Sequence, residues 1–249
     1  MINIVIPMAG LGSRFATAGY QKPKPFIDVL GRPMIERVME NINLTDSRFI
    51  LIGRKEHFNQ ENILINQIKI RYPNTEFIGI DKLTEGTACT VLYAKKFIDN
   101  DDALLIANSD QIVDVNINSF LEDCLNRNLD GSILTFKDLE CNPKWSFAKT
   151  NSEGLVIEVK EKEAISSDAT VGIYLYKSGK DFINATIQMI IENDRVNNEF
   201  YTCPTYNYAI SFGKKIGIYE IPLEAMHGIG TPEDLEKYIN YIITQDQDN

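Results

Sequence analysis

A chain of 249 residues, 44% of them hydrophobic, can bury a sizeable core, and its length favours one large α/β domain over two small ones. The formal net charge of -10 argues against nucleic acid or an anionic membrane as partner, because those surfaces demand a basic face. No apolar run approaches the roughly 18 residues that a bilayer crossing needs, and the start Met1-Ile2-Asn3-Ile4 lacks the basic segment and cleavage site of a leader, so a cytoplasmic location is expected.

Apolar runs bounded by turn residues alternate with helical patterns through the first half, the signature of βα units and a mainly parallel sheet. Strands are predicted over 2–7, 48–53, 76–80 and 103–107, and helices over 33–42, 56–72 and 87–97. The second half is richer in β-branched and aromatic residues. It predicts strands over 132–136, 145–150, 156–160 and 170–176, mostly antiparallel, with Glu153-Gly154 as a turn, and helices over 181–192, 204–212 and 232–243. Residues 1–244 read as one domain with no repeat or linker, and 245–249 as a frayed tail. Cys89, Cys124, Cys141 and Cys203 lack the close spacing of zinc or redox motifs and are expected to be reduced bystanders.

Open α/β sheets form their sites at the carboxyl ends of strands. Here those ends carry the loop Ala9-Gly10-Leu11-Gly12-Ser13-Arg14, the segment Thr84-Glu85-Gly86-Thr87, and Asn108-Ser109-Asp110. Gly10 and Gly12 bare backbone N–H groups but match neither the P-loop nor the dinucleotide fingerprint, and alone they serve a plain turn as well as a phosphate. Arg14 adds a planar fork of donors, while Lys22 and Lys24 are stiffened by Pro23 and Pro25, which limits the entropy lost in clasping an anion. Asp110, at a strand mouth facing that loop, suits a Mg²⁺ bridging to phosphates, although the same residue type also forms turns; Asp114 has the weaker claim to the role. Glu161-Lys162 follows a strand, Gly172 would permit close approach of a ligand, and His227 sits in a turn before the helix start Thr231-Pro232, where it is either functional or a satisfied buried imidazole.

Taken in order, these strings resemble the nucleotidylyltransferases of the sugar-1-phosphate type, from Met8 to about Tyr238, including the strand Ala169-Thr170-Val171-Gly172-Ile173-Tyr174 and the closing Gly230-Thr231-Pro232-Glu233-Asp234. The resemblance implies a single Rossmann-like α/β domain with a mostly parallel central mixed sheet flanked by helices. It implies that Gly10, Gly12 and Arg14 hold a nucleoside triphosphate, that Lys24 neutralises charge near the α-phosphate, and that Asp110 binds Mg²⁺. Gly86 and Thr87 fall in the segment over the base, with Ala9 and Ser109 among the nucleotide-binding residues. The resemblance further implies that Lys162 contacts the phosphate of a second, phosphorylated small-molecule substrate, with Glu161, Gly172 and His227 around it.

Where many relatives carry a second metal-binding Asp, this chain has Gly228, and Trp145-Ser146 replaces a common Tyr-Gly pair. Asn108-Ser109-Asp110 and His227-Gly228-Ile229-Gly230-Thr231 resemble a smaller branch from capsule synthesis, the cytidylyltransferases that act on CTP and phosphoglutamine. A sugar-1-phosphate uridylyl-, thymidylyl- or cytidylyltransferase is the alternative acceptor reading. A glycosyltransferase using a nucleotide sugar and a non-catalytic nucleotide sensor are alternatives of other classes. A homo-oligomer is compatible with the sequence.

Overall fold

The computed structural model describes residues 1–247. In chain order its first half forms β1 (Ile2–Pro7), α1 (Ser13–Thr17), β2 (Asp28–Val29), β3 (Arg32–Pro33), α2 (Met34–Asn41), β4 (Ser47–Arg54), α3 (Lys55–Gln60), α4 (Asn62–Arg71), β5 (Thr75–Ile80), α5 (Thr87–Val91), α6 (Lys95–Ile98) and β6 (Ala103–Ala107). The second half adds β7 (Gln111–Val113), α7 (Ile117–Asn126), β8 (Gly131–Lys137), β9 (Ser146–Thr150), β10 (Val156–Glu161), β11 (Asp168–Tyr176), α8 (Gly179–Ile191), α9 (Thr205–Ser211), β12 (Ile216–Glu220), β13 (Met226–Gly228) and α10 (Pro232–Gln247).

Among the described residues the main sheet has nine strands, running β5-β4-β1-β6-β11-β8-β12 with β9 and β10 attached beside β11. β5, β4, β1 and β6 are parallel, and β11 is antiparallel to both β6 and β8. Ile4 and Ile6 pack on one face, with α2, α7 and α10, while Val5 packs on the other, with α5, α8 and α9. Covered on both faces, β1 carries no apolar–polar alternation. This is the single α/β fold, with a mixed central sheet flanked by helices, that the alternating pattern predicts.

Two features of this topology create the site. First, the chain leaves β1 toward β4 and β5 on one side and returns to β6 on the other, so the strand order reverses at β1 and opens a crevice above the ends of β1 and β6. Second, β6 pairs with β11 over residues 173–176 and β9 pairs with it at Ala169. Between them that edge of β11 has no strand partner over residues 170–172, and a hollow forms there.

Several elements differ from expectation. The helix predicted over 56–72 breaks at Glu61, because α3 buries none of its residues while α4 buries Ile65 and Ile68, so no apolar stripe crosses the break. The helix over 87–97 divides into α5, a 3-10 turn at Leu92–Ala94, and α6. Strand β12 was not predicted, and it runs parallel to β8 within a half expected to be mostly antiparallel. Its Gly217 hid it: a Cβ there would stand 2.5 Å from Leu129 Cδ1. The tail expected from residue 245 overlaps α10, which continues to Gln247, and residues 248–249 lie outside the described residues. The four cysteines are free, and no helix among the described residues is long and apolar enough to cross a membrane.

Candidate active site

Two cavities, of about 400 and about 700 Å³, meet above the ends of β1 and β6, and Arg14, Thr87, Asn108, Asp110 and Gly230 line both. The smaller is built on the glycine loop. Met8 N–H donates to the Ile52 carbonyl at 2.8 Å, which pins the loop to β4 as it leaves the sheet. Gly12 has φ 61°, and a Cβ on it would stand 2.9 Å from Lys24 Cβ, so this glycine is demanded by the protein itself. Gly10 differs. A Cβ there meets nothing within 4 Å and its φ is ordinary, so the space beside it is free for a ligand.

Arg14 is exposed on α1 and its guanidinium makes no hydrogen bond or ion pair among the described residues, so its fork of donors is available. Lys24 opens a 3-10 turn, Lys24–Phe26, that is anchored by buried Pro25 and Phe26. Its ammonium forms an ion pair with Asp110 Oδ2. Above that pair lies Gly230, where a Cβ would stand 2.7 Å from Asp110 Oδ2 and 3.7 Å from Lys24 Nζ. Only hydrogen fits there.

Asp110 Oδ1 makes no hydrogen bond among the described residues, and no group of three or more His, Cys, Asp or Glu there could cage a metal. Magnesium is commonly held by one or two carboxylates together with substrate phosphates and water. A lone carboxylate at the junction of the cavities therefore fits an ion arriving with a triphosphate rather than one held by protein alone. The expected weaker ligand, Asp114, is engaged elsewhere: its Oδ2 accepts from Tyr241 OH at 2.6 Å and pairs with His227 Nε2 at 2.6 Å.

The larger cavity lies at the gap on β11. Glu161 is half-buried at the end of β10; burial pushes its carboxyl pKa upward, while the hydrogen bond from Ser146 Oγ and the Lys162 charge oppose that rise. Lys162 has a left-handed φ of 57°, and its N–H donates to the Trp145 carbonyl at 3.0 Å. Its pKa is raised although burial acts to lower it, because the Tyr201 phenol, Glu161 and Glu199 together outweigh burial. Lys144 adds a second cation, stacked 4.5 Å over Trp145. Arg14, Lys144 and Lys162 thus line one hollow together with Asp110, Glu161, Glu233 and Asp234.

Arg14, Lys24, Asp110, Ser109, Gly10 and Gly12 converge on the smaller cavity, and Glu161, Lys162 and Gly172 on the larger, with Thr87 on both. Ala9 is 6% exposed and its methyl belongs to the core, which leaves its main-chain groups on the loop. Three placements correct the sequence reading. Gly86 is buried with φ 130°, and a Cβ would fall 2.3 Å from the Phe200 carbonyl oxygen, so it seats its turn against another segment and lines neither cavity. His227 points away from the cleft, stacked 4.5 Å from Tyr241. Lys22 lines a separate hollow with Asp28 and Gln67. Gly172 does line the cavity, but its φ is 90° and a Cβ would fall 2.2 Å from Asn108 Nδ2, so it makes room for that side chain. Sequence reasoning missed Tyr201 and Thr202, which stand in an aromatic stretch before α9 with no motif to mark them.

The "Nucleotidyl transferase" family model matches residues 4–208. A bifunctional protein GlmU from Methanococcus aeolicus is 26% identical over 178 residues, covering 71% of this chain and 40% of the relative. A UTP--glucose-1-phosphate uridylyltransferase from Mycoplasma pneumoniae is 27% identical over 128 residues, covering 43% and 44%. The chain therefore spans about two fifths of the length of these curated relatives. The crystal structure of a nucleoside-diphosphate-sugar pyrophosphorylase from Vibrio cholerae superposes with a TM-score of 0.79 at 24% identity, over 95% of this chain and 99% of that one, a likeness of fold. With the family model covering most of its length and the cavities formed at the strand ends, the chain belongs to the nucleotidyl transferase family.

Proposed function

We propose that residues 1–244 act as one domain that transfers a nucleoside monophosphate, CMP from CTP in the favoured reading, to a phosphorylated small metabolite with release of pyrophosphate. The observation that carries this reading is that Arg14 and Asp110 line both of the adjoining cavities, of about 400 and about 700 Å³, with Lys24 paired to Asp110 in the smaller. The acceptor phosphate attacks the α-phosphorus in line with the departing pyrophosphate. The attacking oxygen of a phosphoryl group is already ionised at neutral pH, in a monoester with a second pKa near about 6 as in any phosphoryl group that has lost its first proton, so no general base is required.

The obstacle is repulsion between two polyanions, several kcal/mol for unit charges about 4 Å apart at an effective dielectric of about 20. Arg14 and Lys24 offset it on the nucleotide side and Lys162 on the acceptor side, while the cavity walls hold the reactants in line. Magnesium bound by Asp110 would supply further charge neutralisation on the phosphates. Such a reaction draws on the cytoplasmic nucleotide pool, in keeping with the expected location.

L-Glutamine phosphate is the acceptor we favour. Its support is the resemblance of the Asn108-Ser109-Asp110 and His227-Gly228-Ile229-Gly230-Thr231 strings to the capsule branch, together with a larger cavity lined by both signs of charge, as a zwitterion requires. A sugar 1-phosphate acceptor is the second reading, favoured by the uridylyltransferase among the relatives. A pyrophosphate-release screen of CTP, UTP, dTTP, ATP and GTP with Mg²⁺ against L-glutamine phosphate, sugar 1-phosphates and phosphocholine decides between them. Lys24→Ala and Asp110→Ala are each expected to lower turnover at least about 100-fold without unfolding the protein, the usual cost of a lost charge-stabilising group. Full activity in Asp110→Ala would remove its role.

A further inference from the structure

The backbone of Lys162 is fixed by its bond to Trp145, but four rotatable carbons separate it from the ammonium. Tyr201 fixes the head. Lys162 Nζ donates to the phenol oxygen at 2.6 Å and lies 4.5 Å from the ring centroid. Tyr201 is in turn held from both sides by the turn that carries Thr87. Phe200 N–H donates to the Glu85 carbonyl at 2.7 Å, the Phe200 carbonyl accepts from Ala88 N–H at 3.0 Å, and Thr202 N–H donates to Thr87 Oγ1 at 3.2 Å. Beside them Arg195 ties the same segment to Glu85. This contact explains Gly86, whose missing side chain lets the two backbones meet.

Thr87 lines the smaller cavity and Tyr201 the larger. The phenol that holds Lys162 is therefore fastened to the rim of the nucleotide cavity.

We propose that Tyr201 is the positioning residue for Lys162, holding its ammonium where the acceptor phosphate arrives, with its own placement set by the 85–88 turn. The proposal rests on Lys162 being the lysine that meets the acceptor phosphate. A tethered lysine has less side-chain entropy left to lose on binding. A neutral phenol also releases the ammonium to an incoming phosphate without the Coulombic cost that a carboxylate partner would impose.

Tyr201→Phe keeps the ring and removes the oxygen. With CTP and L-glutamine phosphate, the acceptor KM is expected to rise about tenfold, the scale of one hydrogen bond to a charged group, while the nucleotide KM and the melting temperature stay at wild-type values. Where that pair gives no turnover, the readout is the dissociation constant of inorganic phosphate measured calorimetrically with CTP bound. Lys162→Ala is expected to weaken the same step more strongly, and adding Tyr201→Phe to it should change nothing further.

A Lys162→Ala enzyme with wild-type acceptor binding overturns the reading of Lys162, and the proposal with it. A weakened Lys162→Ala beside a wild-type Tyr201→Phe overturns the proposal alone. So does a Tyr201→Phe effect that persists in the Lys162→Ala background, or one that appears equally in the nucleotide KM.

Discussion

Gly230→Ala isolates the contact that crowds the Lys24–Asp110 pair. The Gly230 backbone does not occupy the left-handed region, so alanine is acceptable to the chain, and the substitution by itself would stabilise by about 0.4–1 kcal/mol through the unfolded state. The added methyl, however, would stand 2.7 Å from Asp110 Oδ2 and 3.4 Å from its Cγ. Restoring an ordinary separation near 3.5 Å moves the carboxylate by on the order of 0.5–1 Å. That shift pulls Asp110 off Lys24 and out of line with the phosphates. Misplacement on this scale costs about 100-fold in rate, so kcat for pyrophosphate release is expected to fall about 30- to 100-fold while the melting temperature stays within a few degrees of wild type. Steady-state kinetics at saturating nucleotide and Mg²⁺, beside a thermal melt, measure both. A Gly230→Ala enzyme with wild-type kcat would show that the Lys24–Asp110 arrangement does not govern the reaction, and the mechanism above would fail.

Three further substitutions separate ligand contacts from structural ones. Gly10→Ala adds a methyl that meets no protein atom within 4 Å, so the melting temperature should hold while the nucleotide KM rises about tenfold; an unchanged KM would mean that no phosphate approaches this loop closely. Burial raises the Glu161 carboxyl pKa despite the Ser146 hydrogen bond, so between the unfolded and folded values the native state holds more protons and stability falls as pH rises. Glu161→Gln should therefore flatten that slope and be the more stable protein above the window, and identical slopes in denaturation from about pH 4 to about pH 8 would refute the burial argument. His227→Ala removes the Asp114 contact and the Tyr241 stacking outside the cleft. It should lower the melting temperature by roughly 2–6 °C with kcat within about threefold; lost turnover in a protein that melts normally would return His227 to the site.

The parts of this protein that the sequence determined are those encoded in short stretches of chain. Continuous apolar runs such as 103–107 specify strands covered on both faces, their ends specify where a site forms, and Pro25 beside Lys24 specifies a lysine on a stiff turn. Tertiary structure alone decided which glycines are demanded by the protein and which leave open space beside them. Gly12, Gly86 and Gly172 are demanded by Lys24, Phe200 and Asn108, while Gly10 meets nothing, because the atom nearest each missing Cβ comes from a residue remote from the glycine or lies in open space. It also decided the fate of His227. Successive strand residues face opposite ways, and the pairing of β13 with β7 turns Gly228 toward the cavity and His227 toward Asp114. Tyr201 owes its place over Lys162 to backbone bonds with a turn more than a hundred residues earlier, a closure that no local pattern records.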